Sequence, residues 1–225
     1  MGNACIIKRV DDNLNLNEIV KLIENDKTNI DLTKIPFSNG VASKTIDELK
    51  QEIVLGEALI SKINGSYFRL CYVLNVLPKN YEKKYLINTH QVKTKKYDNI
   101  AKVIKKRFIL AEKTNKNEDP IQGAKRAVKE ELGSMFTEDQ FSKFEVKDIV
   151  NVERKSVSYP DFRCIYQVIY CTCLLEMFIN KEMFITQEVK QDSVICHYWR
   201  WVDKNEFLAR SASEAISRET LHKIL

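Results

Sequence analysis

Apolar side chains in the first 55 residues recur at helical spacing. Leu16, Ile19, Val20 and Ile23 fall on one side of a helix. Ile35-Pro36 and Asn39-Gly40 then interrupt the pattern. Thr45 with Glu48 reads as a capping box that opens a second helix carrying Ile46, Leu49 and Ile53. The spacing therefore predicts a helical appendage over residues 1–55.

From Ala58 onward the period drops to two. Ala58–Ile63 and Tyr67–Leu77 flank Asn64-Gly65, which predicts a hairpin. Tyr85–Val92 and Arg107–Ala111 read as further strands. Asp119 suits an N-cap and Pro120 the first turn of a helix running to Leu132, where Gly133 stops it. Two long strands follow, Phe144–Arg154 and Arg163–Leu175, separated by Tyr159-Pro160-Asp161. Tyr198–Val202 is a last strand. Ser211 and Glu214 are the expected caps of a closing helix with Ala215, Ile216, Leu221 and Ile224. Strands around a central helix, with another helix at the end, make residues 56–225 an α/β layered domain.

Composition narrows the class. The chain has 225 residues, 44% hydrophobic and 30% charged, with only six Gly and four Pro. That balance excludes a collagenous or a disordered chain. No apolar run approaches the ~20 residues that span a bilayer. No basic stretch followed by an apolar run marks a secretory signal, so the expected location is cytoplasmic. Cys5, Cys71, Cys164, Cys171, Cys173 and Cys196 form no CxxC pair, and His90, His197 and His222 supply no zinc-ligand spacing. These cysteines read as free thiols in a reducing compartment.

The start, Met1-Gly2-Asn3-Ala4-Cys5-Ile6, partly matches an acylation sequence, although Ile6 stands where Ser or Thr is expected. Acylation at Gly2 and Cys5 would make the protein peripheral at a membrane. A net charge of +5 permits anionic ligands without requiring nucleic acid, and no RNA-binding motif accompanies it.

The stretch Glu112 to Ser134 contains Glu118, Arg126, Val128, Glu130, Glu131 and Gly133 at distinctive spacing. It resembles the Nudix box: Gly, five residues, Glu, seven residues, then Arg-Glu-apolar-x-Glu-Glu-x-Gly-apolar. Glu112 replaces the first Gly, Ala127 replaces the Glu after Arg, and Ser134 is less apolar than the pattern. The order of strands around the box, and the segment Tyr198 to Leu208 with its two tryptophans, extend the resemblance over roughly residues 58–210. The altered box and the Tyr-Pro strand connection are similar to a less familiar eukaryotic Nudix-like group.

The resemblance implies an α/β/α sandwich with a mixed sheet. It also implies a hydrolase that uses Mg²⁺ or Mn²⁺ to cut a phosphoanhydride, as in nucleoside diphosphate derivatives. Glu130 and Glu131 become the expected metal ligands, because hard cations take carboxylate oxygens. A Glu at position 127 would have stood beside Glu131 at i+4. Arg126 is expected to pair with Glu118 and order the loop against the helix. Glu188 is the candidate downstream base or extra ligand, and Glu112 a replacement carboxylate. The basic stretch from Lys93 to Arg107, with Lys105, Lys106 and Arg107, would contact phosphates of a nucleotide or inositol polyphosphate if it faced the box. Trp199 and Trp201 share a strand face and read as core. The two departures from the box also fit a second expectation: a catalytically inactive Nudix-fold module that binds a phosphorylated ligand or a protein partner.

Overall fold

The computed structural model describes residues 15–28, 30–32, 35, 44–97, 101–104, 109–156, 158–176, 182–211 and 216–225. Gly2, Cys5, Lys105, Lys106 and Arg107 lie outside these residues. The chain is α/β, with helices near its N-terminus, and divides into two compact units. One comprises Met1–Tyr72, Thr114–Asn117 and Val150–Val168; the other comprises Val73–Lys113, Glu118–Ile149 and Ile169–Leu225.

The first unit contains both early helices. α1 (Leu16–Asn25) begins at a capping box between Asn15 and Glu18, and α2 (Ile46–Val54) at the predicted one between Thr45 and Glu48. Ile19, Val20 and Ile23 of α1 bury against Ile63, Phe68, Leu70 and Tyr72. These last four come from β1 (Ala58–Ile63) and the first half of β2 (Ser66–Lys79). The two strands pair antiparallel, from Ile63↔Ser66 to Ala58↔Cys71. Asn64 and Gly65 between them have φ of 50° and 80°. A tight hairpin turn of the right twist needs two such left-handed residues, and Asn-Gly tolerates the conformation best. A buried ion pair also lies here: Arg69 donates to Glu52, which also accepts from Lys44 Nζ at 2.6 Å. The Arg69 guanidinium covers the Tyr159 ring at 4.6 Å.

The strand order of the sheet is β6-β7-β2-β3-β9-β8. The strands are β6 (Phe141–Arg154), β7 (Arg163–Leu175), β3 (Tyr85–Lys95), β9 (Ser193–Val202) and β8 (Met183–Val189), with the second half of β2. β4 (Ala101–Ile104) pairs with β3, and β5 (Leu110–Thr114) with β2. α3 (Pro120–Leu132) packs Ala124, Ala127, Val128 and Leu132 into a core with Leu74, Cys171, Phe184, Trp199 and Trp201. Both tryptophans are core residues, as expected, and Cys171 and Cys173 share the inner face.

Several details depart from the sequence reading. β8 and β4 are strands where none was predicted, β6 starts three residues before Phe144, and β9 starts five residues before Tyr198. The chain closes with two helices, α4 (Lys204–Ser211) and α5 (Arg218–Ile224). Ser211 is therefore not an N-cap: it ends α4, its hydroxyl donating to the Leu208 carbonyl, while Ser217 caps α5 by accepting from Thr220 N. Glu214 and Ala215 lie outside the described residues. No helix among the described residues is long and apolar enough to cross a membrane.

Candidate active site

α3 is the element on which the site is built, and its ends are fixed by local chemistry. The Asp119 carboxylate accepts from the backbone of Ile121 and Gln122, both at 3.0 Å, satisfying donors that the first turn leaves open. Pro120 needs no such partner. At the other end, a Cβ on Gly133 would run into the Lys129 carbonyl, so the chain leaves the helix through a residue without a side chain.

Arg126 lies on the outer side of this helix. Its Nε and Nη2 donate to the two oxygens of Glu118, each at 2.9 Å, in the two-point geometry that only a planar guanidinium supplies. Nη2 also donates to the Lys113 carbonyl at 2.9 Å, and Nη1 to Glu130 at 3.2 Å. These bonds, Glu118 foremost, outweigh partial burial and hold Arg126 even more firmly protonated than usual. Arg126 thus ties the loop before the helix to one carboxylate of the acidic pair.

Glu131 points the other way. It is 1% exposed, and its Oε2 lies 3.3 Å from Nδ1 of the fully buried His197 on β9. The sheet register explains the meeting. Gln91, His197 and Thr186 lie directly opposite one another on β3, β9 and β8, so their side chains share a face. Gln91 Nε2 is 2.6 Å from His197 Nδ1, and the imidazole lies parallel to Trp199, 5.9 Å between ring centres. Thr186 accepts from the Trp199 indole at 2.8 Å and donates to the Glu131 carbonyl at 2.5 Å, fastening the end of α3 to the sheet.

Two residues along β8 from Thr186, on the same face, stands Glu188. It belongs to a strand rather than a loop. One oxygen is 3.4 Å from His197 Nε2, the other 2.9 Å from the ammonium of Lys190. Burial pushes the Glu188 carboxyl upward, but the bonds to His197 and Lys190 prevail and hold it below the ordinary value. Lys190 is raised in turn: burial opposes its charge, yet Glu188 outweighs that, helped by the carboxylates of Glu112 and Glu130. Four expected acidic residues, Glu112, Glu130, Glu131 and Glu188, are thereby linked through His197, Lys190 and Arg126.

On the same sheet face, Lys93 lies in the row of Ile195 and Glu188 and directly opposite Lys102 of β4. Like charges set opposite each other cost stability unless an anion lies near. A separate pocket of about 570 Å³ is lined by Lys204, Leu208, Arg218, Leu221 and His222 among others, and holds none of the box residues. Among the described residues, no group of three or more His, Cys, Asp and Glu side chains is arranged to hold a metal ion.

No family model and no curated protein matches the chain. Among solved structures, a NUDIX hydrolase from Nitrosomonas europaea is similar at 17% identity, over 63% of this chain and 77% of that one, with a TM-score of 0.34. A MutT protein from Methanosarcina mazei Go1 gives 15% identity, 62% and 81% coverage and a TM-score of 0.33. A further structure of a Nitrosomonas europaea NUDIX hydrolase gives 17% identity, 67% and 75% coverage and a TM-score of 0.32. At TM-scores of 0.32 to 0.34, these likenesses assign neither activity nor ligand to this chain.

Gln91, Thr186, Lys190 and His197 belong to this site although the motif pointed to none of them. His197 carried one usable signal: it alternates with Trp199 and Trp201, and so shares their face.

Proposed function

We propose that the chain is a Nudix-type, metal-dependent hydrolase of a phosphoanhydride in a nucleoside diphosphate derivative or a similar phosphorylated small molecule. The observation that carries this reading is the convergence of the box residues with Glu188. Arg126 grips Glu118 and Glu130, while Glu131 turns inward to the His197 that also meets Glu188. The donors suit the cation: Mg²⁺ is commonly held by one or two carboxylates, with waters and substrate phosphates completing the octahedron. Glu130 and Glu131 would hold it, with Glu188 as the additional ligand or base. Bound there, Mg²⁺ or Mn²⁺ would neutralise phosphoryl charge and acidify the attacking water.

The rest of the work falls to the chain itself. Arg126 fixes the loop and one carboxylate, His197, itself held by Gln91, positions Glu131, and Lys93 with Lys102 offers positive charge to phosphate oxygens. Lys105, Lys106 and Arg107 extend the same basic stretch in sequence. The test is a screen of nucleotide sugars, dinucleotides, caps and inositol pyrophosphates with Mg²⁺ and Mn²⁺. Glu131→Gln should lower kcat/KM by about 10²-fold or more, the loss expected when several kcal/mol of charge stabilisation disappears. Turnover that survives this change unaltered removes the mechanism.

A second reading, a binding module without turnover, draws support from Ala127. Where the box has a carboxylate, this chain buries a methyl group in the core. Calorimetry showing metal-independent binding of a phosphorylated ligand, with no hydrolysis, would favour it.

A further inference from the structure

Glu188 is engaged at both of its oxygens, and the two partners differ in freedom. His197 is wholly buried beside Gln91, Glu131 and Trp199, so it cannot turn aside without opening the core. Lys190 sits at the turn after β8, its side chain 48% exposed, on a flexible four-carbon stem. Its backbone is pinned, the N–H donating to Ser193 O at 2.9 Å and the carbonyl accepting from Lys96 Nζ at 2.7 Å. The ammonium therefore moves by rotation of its stem alone. It lies in the field of carboxylates from three elements: Glu112 on β5, Glu130 on α3 and Glu188 on β8. One positive charge thus stands among the groups that a divalent cation would need.

We propose that Lys190 is an internal competitor for the cation site: its ammonium occupies Glu188 Oε1, and a divalent cation gains that oxygen only when Lys190 swings outward. This rests on the reading that the acidic cluster takes a divalent ion. The exchange is of like for like, a tethered single charge for a diffusible double one. Once displaced, the ammonium remains within reach of the anion that arrives with the cation. Metal alone therefore binds weakly, and metal with a phosphorylated ligand binds well, because the ligand offers Lys190 a new partner.

The full chain, titrated with Mn²⁺ and followed by the electron paramagnetic resonance of the free ion, tests this directly. Lys190→Met keeps most of the stem and removes the charge. It should bind Mn²⁺ about tenfold more tightly than the wild type, the scale expected when a neighbouring unit charge is removed near a protein surface. Adding Glu188→Gln to Lys190→Met should abolish the gain. An affinity for Lys190→Met no higher than wild type overturns the proposal, as does a gain that persists in the double variant or an absence of Mn²⁺ binding in every protein. The hydrolase reading is judged separately by turnover: the affinity ratio stands whether or not either protein cleaves a substrate.

Discussion

Position 127 precedes Glu131 by one helical turn, the spacing that would set a carboxylate beside it. In the folded chain its methyl group is fully buried with Ala124, Val128 and Leu132 on the inner face of α3. The i, i+4 relation was legible in the sequence; the depth was not, because depth depends on which strands cover the helix. Ala127→Glu should therefore destabilise the fold by about 3 kcal/mol or more, the cost of an unpaired charge in an apolar core. A denaturant melt with an unchanged midpoint would contradict this burial. Glu118 and Arg126 are the opposite case: spacing alone matched them, and the two-point grip follows from the geometry of their side chains.

Elements were legible where local signals agreed. α3 has the predicted bounds because Asp119, Pro120 and Gly133 each fix an end by chemistry confined to one turn. β7 likewise runs from Arg163 to Leu175, the predicted bounds. β8 escaped notice because its alternation is inverted. Thr186 and Glu188 face inward, while Met183, Ile185 and Val189 face out, so the polarity that marks a half-buried strand reads backwards. β4 was hidden among lysines, which look like a solvated loop. α5 shows how an element far along the chain is held. Thr220 and Lys223 both donate to Asp148 of β6, at 2.9 and 3.0 Å. Burial pushes the Asp148 carboxyl up, but these bonds win and hold it below its usual 3.8. A carboxyl that titrates lower when folded stabilises fully above its unfolded value, and the contribution fades as pH falls through the folded one. Asp148→Asn should thus cost about 1 kcal/mol near neutrality and flatten the acid limb of the stability curve, checked by urea melts from pH 3 to pH 7.

For the molecule as a whole, the α/β class and the helical start were readable from the change of period near Ala58. The assembly of Glu131, His197 and Glu188 was not, because it needs both the register of β8 on β9 and the packing of α3, some fifty residues earlier in the chain, against β8. The thiols give a global readout. Cys71, Cys164, Cys171 and Cys173 are buried, and Cys196 is half-buried. Burial pushes the Cys171 thiol up to about 11 and raises Cys164 as well. Reagents that attack thiolates should spare those four cysteines at pH 7.5 until denaturant unfolds the chain. Rapid native labelling of Cys171 or Cys173, mapped by mass spectrometry, would refute their place in the core.

β8 ends the strand order of the sheet among the described residues, and it carries Met183, Ile185 and Val189 on its outer row. An edge strand with apolar residues outward invites another strand to add to it. A one-residue slip of β8 during such addition would turn Val189 inward and carry Glu188 to the outer row. Strand addition that shifted β8 by one residue would therefore also take Glu188 away from His197.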